Sequence, residues 1–317
     1  MPDVIALGEL LIDFVPTISG VTLIEAPAFK KAPGGAPANV VAGLAKLGVS
    51  SGFMGKVGDD AFGRFLAQTL EEAGVDISAL RFSSEARTAL AFVSLRADGE
   101  REFMFYRHPS ADMLYTPEEV DTSYIQTAKV FHYGSISLIG EPSRSATLRA
   151  IHAAKDAGLL ISYDPNLRLN LWPGVKAAKE GMLLGWPLAQ VIKVCDEELI
   201  FLTGNNDLIA AGRSLWHAGL RLMLITLGKE GCIYLTQESS GRIPGFQVEA
   251  VDTTGAGDGF VAGLLKGLLE TLEPDEPRLR EICRYANAVG ALTTTQRGAI
   301  PALPTAAQVN EFLKRNR

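Results

Sequence analysis

Residues 252–265, DTTGAGDGFVAGLL, hold the densest set of groups able to do chemistry in this 317-residue chain. Gly255-Ala256-Gly257 reads as a flexible turn, and Asp258 opens a run of apolar and small residues with helical character. Backbone N–H groups at a helix start have no intrahelical acceptor, so such a turn is a ready anion site. A carboxylate in the first helical turn, beside an anion hole, suits phosphoryl transfer to a hydroxyl. A Gly-rich loop capping a core helix would carry the same residues, and the stretch alone does not choose between the two. Glycines 259, 263 and 267 sit in the helix interior, where each costs about 1 kcal/mol relative to Ala. Their spacing of four stacks them on one face, which would let another segment approach closely.

Two more polar residues stand in apolar surroundings. Asp13 lies inside LLIDFV, read as the end of an opening strand that begins near Val4. A carboxylate there needs partners, either ligand hydroxyls or backbone N–H groups in a bend. Asn39 follows Gly34-Gly35 within GGAPANVVAGLAKLG. Its amide can serve a polyol at a Gly-Gly mouth, or make a helix-start hydrogen bond. The four histidines, at 108, 132, 152 and 217, are scattered and read as structural.

Composition narrows the field. Net charge is −6 with no basic run, which disfavours nucleic acid and acidic membrane surfaces as partners. Any nucleotide site must therefore rely on local donors. Three cysteines without CxxC spacing argue against a disulfide framework or zinc site and fit a reducing, cytoplasmic setting. The start carries Glu9 and Asp13 rather than a basic region, so no signal peptide is expected, and no apolar run reaches the length of a membrane span.

The elements that must position these groups follow from periodicity. A helix is expected over 34–48, with Val40, Val41, Leu44 and Leu47 as its apolar stripe, then a strand at 53–57 and a helix at 60–73. Two β-rich runs, 88–95 and 101–107, joined through Ala97-Asp98-Gly99-Glu100, read as a hairpin flap outside the main sheet. Strands are expected at 129–133, 159–163, 190–194, 221–226 and 232–236, with helices at 142–157, 175–185, 196–203 and 207–218. This alternation implies a parallel sheet covered on both faces. A capping box at Thr305 and Gln308 marks the final helix. No GxxxxGK[ST] occurs, and the first strand does not run into GxGxxG, so P-loop enzymes and dinucleotide-dependent dehydrogenases are set aside.

The pair of motifs, GGAPANVVAGLAKLG and DTTGAGDGF, with αβ units between them, resembles the ribokinase-like (PfkB-type) carbohydrate kinases over essentially the whole chain. The intervals GELLIDFVP, AFKKAPGGAPANV, EFMFYRHPSADM, KVFHYGSISLI and YDPNLRLNLWP are most similar to the fructokinases of that family. The resemblance implies a single domain over 1–317 with a Rossmann-like, mostly parallel sheet and a small β lid from about 14–33 and 87–110. It implies ATP with Mg²⁺ and an activating K⁺, a sugar as acceptor (fructose giving fructose 6-phosphate), and a homodimer through the lid. Asp258 matches the catalytic base, and Gly255, Ala256 and Gly257 match the anion hole. Asp13, Gly34, Gly35 and Asn39 match the sugar site, with Phe105, Arg107 and Arg168 as neighbours of substrate or phosphate. Thr226, Gly228, Gly231 and Asn287 fall where relatives hold the nucleotide. Asp252 and Thr254, with the 293–302 segment and its Gly298, match a monovalent-cation site.

One departure matters. Relatives often carry Asn-x-x-Glu near magnesium and phosphate, where this chain has Cys195-Asp196-Glu197-Glu198. The resemblance then leaves Glu198 as at most a water-mediated Mg²⁺ contact, the alternative being a charged residue in a helix's first turn, and gives no support to a direct metal or nucleotide role for residue 195. Two alternatives remain open. One is the same chemistry on 2-keto-3-deoxygluconate, ribose or a nucleoside, where Arg107 and Arg168 could meet an acid sugar's carboxylate. The other is a catalytically inactive sugar-binding regulatory protein, against which the retained Asp258 and its glycines argue.

Overall fold

The structure, a computed structural model, describes residues 1–18, 20–95 and 101–316. The chain opens with β1 (Val4–Leu7), β2 (Leu11–Pro16), β3 (Phe29–Gly34), α1 (Ala36–Lys46), β4 (Ser51–Gly58), α2 (Ala61–Glu72) and β5 (Leu80–Ser83). β6 (Leu90–Leu95), β7 (Arg101–Tyr106), the single-turn α3 (Thr122–Ile125), β8 (Val130–Gly134), α4 (Ser143–Asp156) and β9 (Leu160–Asp164) come next. The second half runs α5 (Val175–Gly185), β10 (Val191–Cys195), α6 (Asp196–Thr203), α7 (Leu208–Ser214), β11 (Leu222–Thr226), β12 (Cys232–Leu235) and β13 (Ser240–Ile243). It closes with α8 (Ala256–Glu270), α9 (Glu276–Thr293) and α10 (Ala306–Arg315).

Nine strands make the main sheet in the order β13-β12-β11-β10-β9-β8-β1-β4-β5. Pairing is parallel from β11 to β5, and only β12 and β13 run antiparallel at one edge. The strands are apolar almost throughout because both faces are covered. Val4, Val130, Leu160, Val191 and Leu222 point into one core with α1, α8 and α9, while Ile5, Phe131, Ile161, Ile192 and Met223 point into the other with α4 and α6. Among the described residues no helix is long and apolar enough to cross a membrane.

A second, four-stranded sheet has the order β3-β2-β6-β7. The β6–β7 register, from Leu90 opposite Tyr106 to Leu95 opposite Arg101, is that of the expected hairpin, while its connecting turn (96–100) lies outside the described residues. The opening strand is corrected. It is two strands in two sheets, parted at Gly8-Glu9-Leu10. Leu10, Leu11 and Ile12 are as buried as β1 itself, so hydropathy runs through the break without marking it.

The α8 glycines find their partner in α9, a helix that the periodicity of the sequence does not announce. A Cβ on Gly263 would lie 2.9 Å from the Ala286 backbone, one on Gly259 2.6 Å from Thr293 Oγ1, and one on Gly267 2.7 Å from Ile282. Small residues bring the two axes close enough for backbone to meet side-chain roots, which fixes α8 and therefore its first turn.

Candidate active site

Open α/β sheets bind ligands beyond the carboxyl ends of their parallel strands. Here those ends are Gly134 of β8, Asp164 of β9, Cys195 of β10 and Thr226 of β11, and two cavities open beyond them. The smaller, about 190 Å³, lies between the second sheet and the start of α8. Asp13, Gly35, Asn39, Phe105, Arg168, Gly255, Gly257 and Asp258 line it. The larger, about 790 Å³, is lined by Thr226, Gly228, Gly231, Asn287, Ala256 and Glu198, with Phe201, Phe246 and Phe260 as its aromatic residues. Asn166, Arg168, Lys193, Thr253 and Gly257 line both, so the cavities meet along one seam. Asp258 stands beside that seam on the smaller side.

The first turn of α8 is built as its glycines require. Gly255 caps the helix in the left-handed region (φ 79°), a conformation costly for any residue with a Cβ. As a glycine it contributes no side-chain cap of its own, and Gly257 and Asp258 occupy the turn in which a helix offers its N–H groups no internal acceptor. Asp258 is 8% exposed, and its Oδ2 accepts a 2.8 Å hydrogen bond from Asn39 Nδ2, a residue 219 positions away. Burial raises the Asp258 pKa, and the Asn39 hydrogen bond with the charges of Lys193 and Arg168 pulls against that rise. The Asn39 Oδ1 atom is buried at the cavity with no protein partner among the described residues.

Asp13 is raised to about 7 by burial, with Asp252 and Asp258 adding to the rise and Arg168 opposing it. Gly34, directly across from Leu11 in the sheet, leaves the space that the Asp13 carboxylate fills. Arg107 does not join this group. Its guanidinium is buried beside the second sheet and paired with Asp112, whose other oxygen accepts from Ser110, so the expectation of a substrate contact is not met. The physical reason is that a buried arginine must spend its donors on a carboxylate, and Asp112 lies five residues on.

Around the larger cavity, Gly228 (φ 55°) and Gly231 (φ 97°) turn the chain between β11 and β12. Asn287 lines the wall while its Nδ2 donates to Pro244 O at 3.1 Å, holding the 243–245 segment. Asp252 gathers the residues expected at a monovalent-cation site: Oδ1 accepts from Thr254 N (3.0 Å) and Oγ1 (2.7 Å), and Oδ2 from Gly298 N (2.9 Å). Glu198 is occupied by backbone, with Leu167 N at 2.6 Å on Oε1 and Cys195 N at 2.9 Å on Oε2. Cys195 is the N-cap of α6 in a reciprocal capping box with Glu198. The departure from Asn therefore keeps the cap with a weaker acceptor, and residue 195 acts on the backbone.

Sequence reasoning passes over four residues at the seam or beside it. Lys193 is 8% exposed, and its Nζ lies 3.1 Å from Asp164 Oδ2. Burial alone would lower its pKa, yet Asp164, Glu198 and Asp258 keep it raised, so the ammonium stays charged. A Cβ on Gly257 would sit 3.0 Å from that ammonium. Asn166, between them on the chain, holds a left-handed backbone (φ 48°) uncommon for a residue other than Gly. Glu9 accepts from Ala36 N at 2.9 Å and is raised to about 7 by burial. The available signals are a lysine within VIKVC and an aspartate ending LISYD, charges in strands buried on both faces.

Two adjoining cavities with a buried carboxylate, a glycine-built helix start and a buried cation where they meet form an arrangement able to pass a phosphoryl group to a small hydroxylated molecule. The chain belongs to the pfkB family of carbohydrate kinases, whose model matches residues 1–306. It is 57% identical over 316 residues to probable fructokinase-4 of Arabidopsis thaliana, covering 99% of this chain and 97% of that one. Its fold is that of the fructokinase from Xylella fastidiosa solved with bound ATP (TM-score 0.91, 34% identity, 100% and 99% of the two chains). It also matches a double mutant of the fructokinase from Vibrio cholerae O395, solved with fructose, ADP and potassium ion (TM-score 0.88, 35% identity, 98% of each chain). The chain is an ATP-dependent sugar kinase.

Proposed function

We propose that the protein is a fructokinase, transferring the γ-phosphoryl group of ATP to a primary hydroxyl of fructose. The observation that carries this reading is the seam: Asp258 and the α8 turn stand where the small polar cavity meets the large one. Fructose occupies the small cavity, with hydroxyls on Asp13 and on Asn39 Oδ1, which has no protein partner among the described residues. ATP lies in the large cavity along Thr226, Gly228, Gly231 and Asn287. Asp258 takes the hydroxyl proton as that oxygen attacks the γ-phosphorus in line, and the bond from that phosphorus to the bridging oxygen breaks as ADP leaves. The N–H groups of the Gly255–Asp258 turn, with Lys193 and Arg168 at the seam, stabilise the charge on the group in flight. The transition state is loose, so positioning carries most of the rate and the base needs no high pKa. Closure of the second sheet over the sugar would keep water from intercepting the phosphoryl group.

Among the described residues no three His, Cys, Asp or Glu groups cluster as a metal cage, and both Glu198 oxygens already hold backbone N–H groups. Mg²⁺ therefore fits here as an ion carried in on the nucleotide phosphates, reached by Glu198 only through water; when bound it neutralises phosphate charge. K⁺ fits the 252–254 and 293–302 loops that Asp252 ties together. Val15, Met104 and Tyr106, exposed on the second sheet, suit a homodimer through that sheet. Three free cysteines suit the cytoplasm.

The test is ADP release with Mg²⁺ and K⁺ present across fructose, ribose, 2-keto-3-deoxygluconate and adenosine. Fructose should give the highest kcat/KM by a wide margin. Preference for another acceptor would move the assignment within the family, and no turnover with any of them would favour a binding protein.

A further inference from the structure

The loop that carries Gly298 is held at its far end by a lysine that lines neither cavity. Lys46 stands in the last turn of α1, the helix whose first turns bring Gly35 and Asn39 to the sugar cavity. Its Nζ donates to three backbone carbonyls of one turn: Ile300 O at 2.6 Å, Leu303 O at 3.1 Å and Pro301 O at 3.3 Å. An ammonium has three donors, so the group is fully used. Among the described residues no carboxylate pairs with it, and burial lowers its pKa. A cation spent wholly on the carbonyls of a tight turn, rather than on water or an acid, orients those carbonyls.

That turn reaches the catalytic end of α8 through Ala299. A Cβ on Gly255 would lie 2.8 Å from Ala299 Cβ and 3.0 Å from its Cα, so the two backbones are in close packing. The segment is thus fixed at three points: Gly298 N on Asp252, Ala299 against Gly255, and carbonyls 300, 301 and 303 on Lys46. Gly255 holds a left-handed φ and has no side chain of its own to anchor it, so its aim depends on what packs against it.

We propose that Lys46 is a positioning residue for phosphoryl transfer, clamping the 300–303 turn so that Ala299 keeps Gly255 and the following N–H groups aimed at the transferring phosphoryl group. Through α1, the same helix then sets both the sugar cavity and the anion site. The inference rests on the role given to the Gly255–Asp258 turn.

The test compares Lys46→Met, Lys46→Arg and Ala299→Gly in the full-length enzyme, well below its Tm, with Asp258→Asn as reference. Lys46→Met should lower kcat about tenfold or more with KM for fructose and ATP within about threefold, the signature of weakened transition-state stabilisation with ground-state binding intact. Lys46→Arg, whose guanidinium can still donate to carbonyls, should recover kcat to within about threefold. Ala299→Gly should lower kcat in the same manner, and the double variant should be little worse than the poorer single, because both act through Gly255. Folded Lys46→Met with kcat within about twofold of wild type, while Asp258→Asn collapses, overturns the clamp and leaves the Asp258 reading standing. If Lys46→Met does not fold, Ala299→Gly decides: an unchanged kcat refutes the proposal. If Asp258→Asn itself keeps its turnover, the reading beneath the clamp fails first.

Discussion

Replacing Asp258 by Asn puts the proposed chemistry at risk with little disturbance of the fold. Asn39 Nδ2 donates to Asp258 Oδ2 at 2.8 Å, and an amide oxygen accepts that bond as a carboxylate does. The variant side chain therefore stays in place but can no longer take a proton. A positioned general base contributes about 10²–10⁴-fold, so kcat should fall by that factor, equivalent to about 2.7–5.4 kcal/mol of barrier. Sugar KM should change little, since the position still forms hydrogen bonds. A second readout comes from electrostatics. Asp258 is one of the charges that push Asp13 up to about 7, so its removal lowers the Asp13 pKa. If sugar binds the Asp13 carboxylate, the pH at which affinity rises should move down in the variant. ADP release coupled to NADH oxidation, followed across pH at saturating ATP, gives kcat, KM and both limbs together. The melting temperature should hold or rise, because a neutral amide carries less desolvation cost than a buried carboxylate. Turnover within about tenfold of wild type would remove Asp258 from the role of base. A pH dependence of sugar affinity identical to wild type would refute the coupling to Asp13.

Lys193→Met leaves Asp164 buried without its partner, and breaking such a pair costs about 3–5 kcal/mol, read in urea unfolding. Adding Asp164→Asn should restore stability but not turnover, and recovery of both would confine the pair to a structural role. Glu9 and Asp13 are both raised to about 7, from 4.5 and 3.8, so between those limits the folded protein binds more protons than the unfolded chain. Stability of the ligand-free protein should therefore fall as pH rises through that window, and a flat urea midpoint from about pH 5 to 8 would contradict the burial of these groups. Gly263→Val would drive a side chain into the Ala286 backbone 2.9 Å away, which cannot yield as a flexible side chain would. It should destabilise by about 1–3 kcal/mol or more, and a loss under about 0.5 kcal/mol would mean α8 and α9 are not packed as closely as described.

What can be read from the sequence is what local chemistry dictates. The strands 159–163 and 190–194 and the helices 175–185 and 196–203 match their expected bounds to within about one residue because their hydrophobic periodicity and caps are local signals. The Gly255 turn is legible for the same reason. The two-sheet split at Gly8–Leu10 is not, because burial on both sides of the break keeps the run apolar. Helix α9 goes unread although the α8 glycines announce that something approaches them: a small-residue face states the distance of its partner and leaves the partner unnamed.

The same limit explains the site. Asp258, Asn39 and Asp13 can each be picked out singly, as polar groups in apolar runs, yet each keeps a structural alternative as long as it stands alone. The hydrogen bond between Asn39 and Asp258 joins two of them across 219 residues, in place of the helix-start contact open to the amide from the sequence. Lys193 shows the converse. A single lysine in a buried strand is costly, and only the fold reveals that Asp164 compensates it at the point where two cavities join. Arg107 resembles it as a basic residue in a buried setting, but neither it nor its partner Asp112 lines either cavity. What separates the two cations is therefore where the paired carboxylate sits, which for Lys193 is a relation between strands β9 and β10 that neither segment encodes alone.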